Sequence, residues 1–379
     1  MIRPLLEQLV RVDSRLPSEA ALAAVIADRI RSLGLEPEWH EVAPGRPNVA
    51  CAVRLGPRPG LVTLTGHLDT VHAAEGWSSD PFEPVERDGR LYGLGALDMK
   101  SGLVAALLAF ERLLADRSRH DQLGTIGFAA TVDEEAYGIG AKALLTTRFG
   151  QSDLMLLTEP FHGTDSADPI PVVMPGKVLY QITVRGRTSH ALCHPERGIN
   201  AVEDAARIVA ALDRLPLGSH PVVGRMNYST LKIEGGYREY SVVVPELCQV
   251  IVTRLLAPGE TRPGAVRELE ALIGTLGLAS TVSVEAVPPS YEPYELDRAH
   301  AATRAFEAAY QARMGRDPVF GGLLGITDAN IYQGEGGIPT IIFGPRGQGL
   351  HEKDEYVELD SIPPVIDVLV DTAIRYWQT

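Results

Sequence analysis

Leu61-Val62-Thr63-Leu64-Thr65-Gly66-His67-Leu68-Asp69 is the stretch on which the fold turns. Five residues suited to a short strand lead through Gly66 to a histidine and an aspartate. Outward from it, residues 48–55, 125–132 and 154–158 read as further strands, and residues 101–114 as a helix set between the strands at 61–65 and 125–132. Upstream, residues 18–33 carry Leu22, Val25, Ile26, Ile30 and Leu33 at helical spacing, with Ser18 as N-cap and Gly34 as stop. Downstream, residues 297–314 and 361–377 read as helices and 339–343 as a strand that completes the sheet from distant sequence. The alternation predicts an α/β fold, with a mixed, largely parallel sheet covered by helices.

The texture changes in the middle of the chain. Residues 177–185, 230–233, 247–254 and 281–286 read as strands, with helices over 200–212 and 266–276 between them, an α+β unit of domain size. Pro169, Pro171 and Pro175 on one side and Pro288, Pro289 and Pro293 on the other suit paired hinge crossings. The predicted organisation is one domain from residues 1–175 and 288–379, interrupted by an inserted domain over 176–287. A length of 379 residues agrees with two domains, since single cores stop growing near ~250–300 residues.

Composition narrows the function. The chain is 45% apolar and 22% charged, enough to bury a core and unlike a disordered chain. A formal charge of −14 without a basic cluster argues against a nucleic-acid partner. Cys51, Cys193 and Cys248 are an odd count without C-x-x-C spacing, which points to a reducing compartment and away from a disulfide framework. Glu7, Arg11 and Asp13 break up the N-terminal apolar residues, and the apolar run 102–110 is well short of the ~20 needed to span a bilayer. The expected location is therefore the cytoplasm, with no membrane partner.

Metal-binding residue types follow three of the expected strands: His67 and Asp69, then Asp133, Glu134 and Glu135, then Glu159. One such carboxylate is ordinarily a solvated loop residue or an N-cap. Three sets at equivalent positions point to one crevice at the carboxyl ends of the strands. His67 and Asp69 share a face of an extended segment, so the aspartate is placed to hold the imidazole. The stretch 93–102 sets Asp98 and Lys100 among glycines just before a helix; it has neither the phosphate-loop nor the dinucleotide order, and lets main chain come close to a buried cation.

These residues resemble a known family, the M20 metallopeptidases and deacylases, which includes acetylornithine deacetylase, succinyl-diaminopimelate desuccinylase, carboxypeptidase G2 and aminoacylases. The resemblance is carried, in the family's order, by Gly66-His67-Leu68-Asp69-Thr70-Val71, Gly95-Ala96-Leu97-Asp98-Met99-Lys100, Asp133-Glu134-Glu135, Glu159-Pro160, Ser189-His190-Ala191 with the following 195–201, and Gly344-Pro345 before His351. It implies a two-metal site, usually zinc and occasionally cobalt or manganese. Asp98 would bridge the ions, His67 and Glu159 complete one, and Glu135 and His351 the other. Asp69 would orient His67, and Glu134 would be the general base toward the bridging water. The resemblance makes the inserted domain a lid that carries a homodimer contact, with His190 stabilising the oxyanion, frequently in the partner's site. The donor set suits Zn²⁺, and two ions can activate water while polarising a carbonyl.

One departure bears on the substrate. Aligned through Val244-Pro245 and Cys248, the arginine that relatives use for a substrate carboxylate falls on Leu255, with Arg254 beside it. On a strand, neighbours face opposite ways. Either a local bulge turns Arg254 into the substrate-binding residue, or the substrate lacks that carboxylate; the facing rule favours the second. The expected activity is hydrolysis of an N-acyl or peptide-like bond in a small molecule. An aminopeptidase or dipeptidase with the same site, and a non-catalytic binding protein on this scaffold, are the rival readings.

Overall fold

The stretch 61–67 forms a strand, and its burial explains its composition. In the computed structural model, which describes residues 1–165 and 167–379, it is covered from Val62 to His67 on both faces. The chain divides into two compact units. One holds Met1–Val173, Glu295–Gly322 and Thr327–Thr379, the other Met174–Tyr294 with Leu323–Ile326.

The first unit contains strands β1 (Glu38–Ala43), β2 (Arg46–Arg54), β3 (Leu61–His67), β4 (Thr125–Thr131) and β5 (Leu154–Leu157). The second contains β6 (Gly176–Arg185), β7 (Tyr228–Gly235), β8 (Leu247–Leu256) and β9 (Thr281–Tyr291), and β10 (Thr340–Ile342) returns to the first. The order in the first sheet is β1-β2-β4-β3-β5-β10. β4, β3, β5 and β10 run parallel, while β1 and β2 are antiparallel to their neighbours. The expected mixed, largely parallel sheet is therefore present, with β10 supplied from the far end of the chain. The unanticipated strand is β1. Its alternating half-exposed pattern lacks the apolar run that marks a central strand.

Helices α1 (Ile2–Val10), α2 (Ala20–Ser32), α3 (Ser101–Ala115), α4 (Ile139–Leu145), α7 (Ala301–Met314) and α8 (Ile362–Trp377) belong to this unit, with α5 (Ala201–Ala211) and α6 (Arg262–Gly274) in the other. α2 packs on β2, α3 on β3, and α8 on both α3 and α7. Ser18 does not cap α2; the N-cap position is Glu19, whose side chain is spent on Arg46 instead. α3 is buried on all sides from Ser101 to Phe110, which is why no polar face precedes Glu111. Its start is fixed by a close approach, since a Cβ on Gly102 would lie 2.0 Å from the Thr158 carbonyl oxygen. Among the described residues no helix is long and apolar enough to cross a membrane.

The second unit is a four-stranded antiparallel sheet, β7-β8-β6-β9, whose regular alternation puts Tyr180, Ile182, Val250 and Val252 in one core with Ile208 of α5 and Leu269 of α6. Asn200 caps α5 by accepting from the N–H groups of Val202 and Glu203. β7 is an edge strand, and its register against β8 shifts between Thr230 and Lys232.

Candidate metal centre

The sheet order decides what meets. β4, β3 and β5 are adjacent and parallel, so their carboxyl ends bring Asp133–Glu135, His67–Asp69 and Glu159 to one edge. Asp98 arrives from the turn before α3. That turn begins at Gly95, whose φ of 73° and whose approach to Thr70 leave no room for a Cβ. His351 arrives from the loop after β10.

The Asp98 carboxylate is the meeting point. Its Oδ1 lies 3.1 Å from Nε2 of His67, and its Oδ2 3.1 Å from Nε2 of His351. Glu159 Oε1 is 3.7 Å from the His67 nitrogen, and Glu135 Oε1 is 3.0 Å from the His351 nitrogen. All five expected ligands thus gather around one carboxylate. Glu134 is there too. Its carboxylate forms a group with His67 and Glu159 in which single ligand atoms lie within 4.8 Å of one another, as do His67, Asp98 and Glu135. Proximity alone therefore leaves both Glu134 and Glu135 able to coordinate.

Asp69 does something other than expected. Nδ1 of His67 donates to the main-chain oxygen of Asp69 at 2.9 Å, while the Asp69 carboxylate stands 3.8 Å away. That carboxylate instead accepts from the main-chain N–H groups of Glu134 at 3.2 Å and Glu135 at 2.9 Å. The imidazole is still oriented, but by main chain, and the carbonyl partner makes Nδ1 a donor, so that Nε2 is the nitrogen turned to the cluster.

The charges fit a cation. Four buried or half-buried carboxylates, of Asp98, Glu134, Glu135 and Glu159, face two imidazoles. Burial, and then Glu159, pushes the Glu134 carboxyl well above the usual range; burial, and then Asp98, does the same to Glu159. Glu159 Oε1 is buried with no hydrogen-bond partner, which leaves it able to take an ion. For His67, burial lowers the pKa, but Asp98, Glu159 and Asp69 outweigh it and raise it well above normal. Hydrogen bonds to Asp98 and then Glu135 push His351 up to about 10.

Beside the cluster, a cavity of about 360 Å³ is lined by residues adjacent to three of these groups: Leu97, Pro160 and Leu350. Asp165, Asp168 and Glu358 also line it, against the one arginine, Arg346, which bonds Glu358 at 2.6 Å.

Two expectations lie in the second unit. His190 is exposed and caps a short turn, its Nδ1 accepting from the Leu192 N–H at 3.2 Å. Arg254 is a correction. Its side chain is fully buried, with guanidinium bonds to Glu268 at 2.8 Å, Glu260 at 2.6 Å and the Pro216 carbonyl at 3.2 Å. β8 keeps an unbroken register with β6 through residues 254 and 255, so no bulge turns Arg254 outward. Its guanidinium is spent on partners within the unit, which counts against the reading of it as a carboxylate anchor.

Three buried groups went unread. Asp328 is pushed up to about 7 by burial, and its Oδ1 has no partner. Lys100 is lowered to about 8 by burial, and its Nζ donates to the Val12 carbonyl at 2.9 Å. Glu355 accepts from three main-chain N–H groups. For Lys100 a signal existed in the quoted turn. For Asp328 and Glu355, polar residues in loop-like sequence, none did.

The model of peptidase family M20/M25/M40 matches residues 63–375. A succinyl-diaminopimelate desuccinylase of Methylorubrum extorquens is 29% identical over 384 aligned positions, covering 97% of each chain. Among solved structures, aminopeptidase PepT from Bacillus cereus ATCC 10987 superposes with a TM-score of 0.79 at 24% identity, covering 99% of this chain and 98% of that one. The Bacillus subtilis YXEP protein, described as a dinuclear metal binding peptidase, does so at 0.73 and 16%, covering 100% and 98%.

Proposed function

We propose, from the premise that this chain belongs to peptidase family M20/M25/M40 and is a metal-dependent hydrolase, that it cleaves an N-acyl amide bond of a small molecule at a two-metal site. The observation that carries the reading is the Asp98 carboxylate, with one oxygen 3.1 Å from each of two histidine nitrogens. His67 and Glu159 would hold one ion, Glu135 and His351 the other, with Asp98 shared. Imidazole and carboxylate donors suit zinc, with cobalt or manganese as alternatives. When bound, the pair supplies Lewis acidity that lowers the pKa of water and polarises the scissile carbonyl.

The residues divide the remaining work. Glu134 accepts the proton of the attacking water at its carboxylate and returns it to the leaving nitrogen as the C–N bond breaks. Asp69 fixes the main chain of Glu134 and Glu135, so the base and its ligand neighbour move together. We assign the second unit the part of lid and homodimer contact, with His190 as oxyanion donor. Supporting the dimer, β7 is a sheet edge with Leu231 and Ile233 more than half exposed. Leu231→Glu combined with Ile233→Glu should convert a sedimenting dimer to monomer; a wild-type monomer would remove that assignment. Mixing His190→Ala chains with Glu134→Gln chains should restore activity if sites are shared. Cys51 and Cys248 are buried free thiols, in keeping with a cytoplasmic setting that cell fractionation can check.

The N-acyl reading leans on the relative named as a desuccinylase. The aminopeptidase reading has an observation of its own. The cavity beside the cluster carries Asp165, Asp168 and Glu358 against Arg346, a balance that favours a substrate ammonium. Hydrolysis of N-acyl amino acids and unblocked dipeptides by metal-reconstituted protein separates the two. Release from the dipeptide, with none from its N-acyl form, would reverse the order; turnover of neither would leave a binding protein. For the metal site, saturated Asp98→Ala should no longer hold a pair of ions, and retention of two at unchanged affinity would contradict the ligand assignment.

A further inference from the structure

Asp98 stands in a stretch that ordinary helix bonding does not hold. Its φ and ψ are −113° and 98°, those of Met99 are −128° and 39°, and α3 begins only at Ser101. Leu97 and Asp98 are nonetheless buried, so their N–H groups need partners. Those partners come from the other end of the chain. Glu355 Oε1 accepts from the N–H of Leu97 at 2.8 Å and of Asp98 at 2.9 Å, and Oε2 from Gly95 at 2.8 Å. The side chain is almost fully buried. A second contact fixes the same pair of segments, because Gly93 donates to the main-chain oxygen of Glu355 at 3.1 Å, where Tyr356 begins to pair with Tyr92.

Glu355 lies four residues after His351. One short loop therefore carries both the histidine that meets Asp98 Oδ2 and the carboxylate that grips the Asp98 main chain. An ionised carboxylate is acceptor-only, which is what three converging N–H groups require; an amide would turn a donor toward one of them.

We propose that Glu355 is a positioning residue, whose carboxylate clamps the 95–98 turn and so sets the side chain of Asp98 between the two histidines. The clamp rests on the reading of Asp98 and His351 as ligands. It acts on metal affinity and coordination geometry through Asp98 and touches neither substrate nor ion.

The test is Co²⁺ titration of the metal-stripped full chain, with the visible spectrum of the cobalt protein as a second readout. Glu355→Gln should weaken Co²⁺ binding by roughly 10–100-fold, the usual effect of disturbing a group that supports a ligand, and should change the spectrum. Glu355→Asp, charged but short, should recover part of the affinity. Asp354→Ala removes the loop's anchor on Ser78 and should leave both readouts near wild type. An equal loss in Asp354→Ala would assign the effect to the loop at large and overturn the proposal. So would insolubility of both Glu355 variants, which would make the carboxylate a requirement of the fold. If Asp98→Ala leaves Co²⁺ binding untouched, the site reading itself fails. If Asp98→Ala abolishes it while Glu355→Gln keeps wild-type affinity and spectrum, only the clamp fails.

Discussion

The ends of β4, β3 and β5 in the first unit and the end of β8 in the second both bury charge, and they do so in opposite ways. Around Asp98, four carboxylates face two imidazoles, and Glu159 keeps a buried oxygen without a partner. Around Arg254, one guanidinium meets two carboxylates and a carbonyl, through both of its terminal nitrogens. The Arg254 guanidinium is buried with its partners supplied by the chain, and those two glutamates are partly open to water, so it is a fold residue. A buried excess of one sign asks for something the chain does not contain, here a cation.

The sharpest way to break that contrast is to separate Glu134 from Glu135, which proximity does not distinguish. Glu134→Gln keeps the size and removes the proton acceptor, so kcat should fall by roughly 10²–10⁴-fold with both ions retained. Glu135→Gln should instead lower metal affinity by roughly 10–100-fold, read by titration of the stripped protein. Exchange of the two phenotypes would make Glu134 the ligand beside His67 and Glu159, and Glu135 the base.

The second unit should answer a mutation differently. Arg254→Leu leaves Glu260, Glu268 and the Pro216 carbonyl facing an apolar side chain. Breaking a buried pair on one side costs about 3–5 kcal/mol, and the partial exposure of both glutamates puts this case near the lower figure. Melting should drop by about 5–10 °C with KM little changed. A raised KM at unchanged melting temperature would return Arg254 to the substrate and erase the contrast.

The same contrast explains what could be read in the chain. Strand-end residues such as His67 and Glu159 were legible because a parallel sheet has one chemically useful edge, and runs such as 61–65 reveal which strands are central. β1 was not, because an edge strand carries no such run. The surroundings of Arg254 were not legible, because spacing gives the facing of a side chain but not its company, and Glu260 and Glu268 become partners only once the chain after β8 folds back on it. Asp69 was read for the right neighbour through the wrong atoms, since strand periodicity cannot tell a carboxylate contact from a carbonyl one. The Glu355 clamp joins residues 257 to 260 positions apart, beyond any local signal.

The smallest expected effect concerns the substrate's own charge. Arg254 is committed to Glu260 and Glu268, and Arg346 at the cavity is bonded to Glu358, so neither arginine is free to receive a carboxylate. A charge-assisted bidentate contact is strong, and losing one that exists is felt as a large fall in kcat/KM. Comparing an N-acyl amino acid with its carboxamide should therefore show kcat/KM values within about threefold, less than about 1 kcal/mol in the transition state. A loss of tenfold or more would mean that the substrate breaks an existing ion pair to bind. Arg346→Leu then locates it: if the difference between acid and amide vanishes in that variant, the cavity's arginine leaves Glu358 for the substrate, and the acidic lining is a resting arrangement in place of an ammonium site.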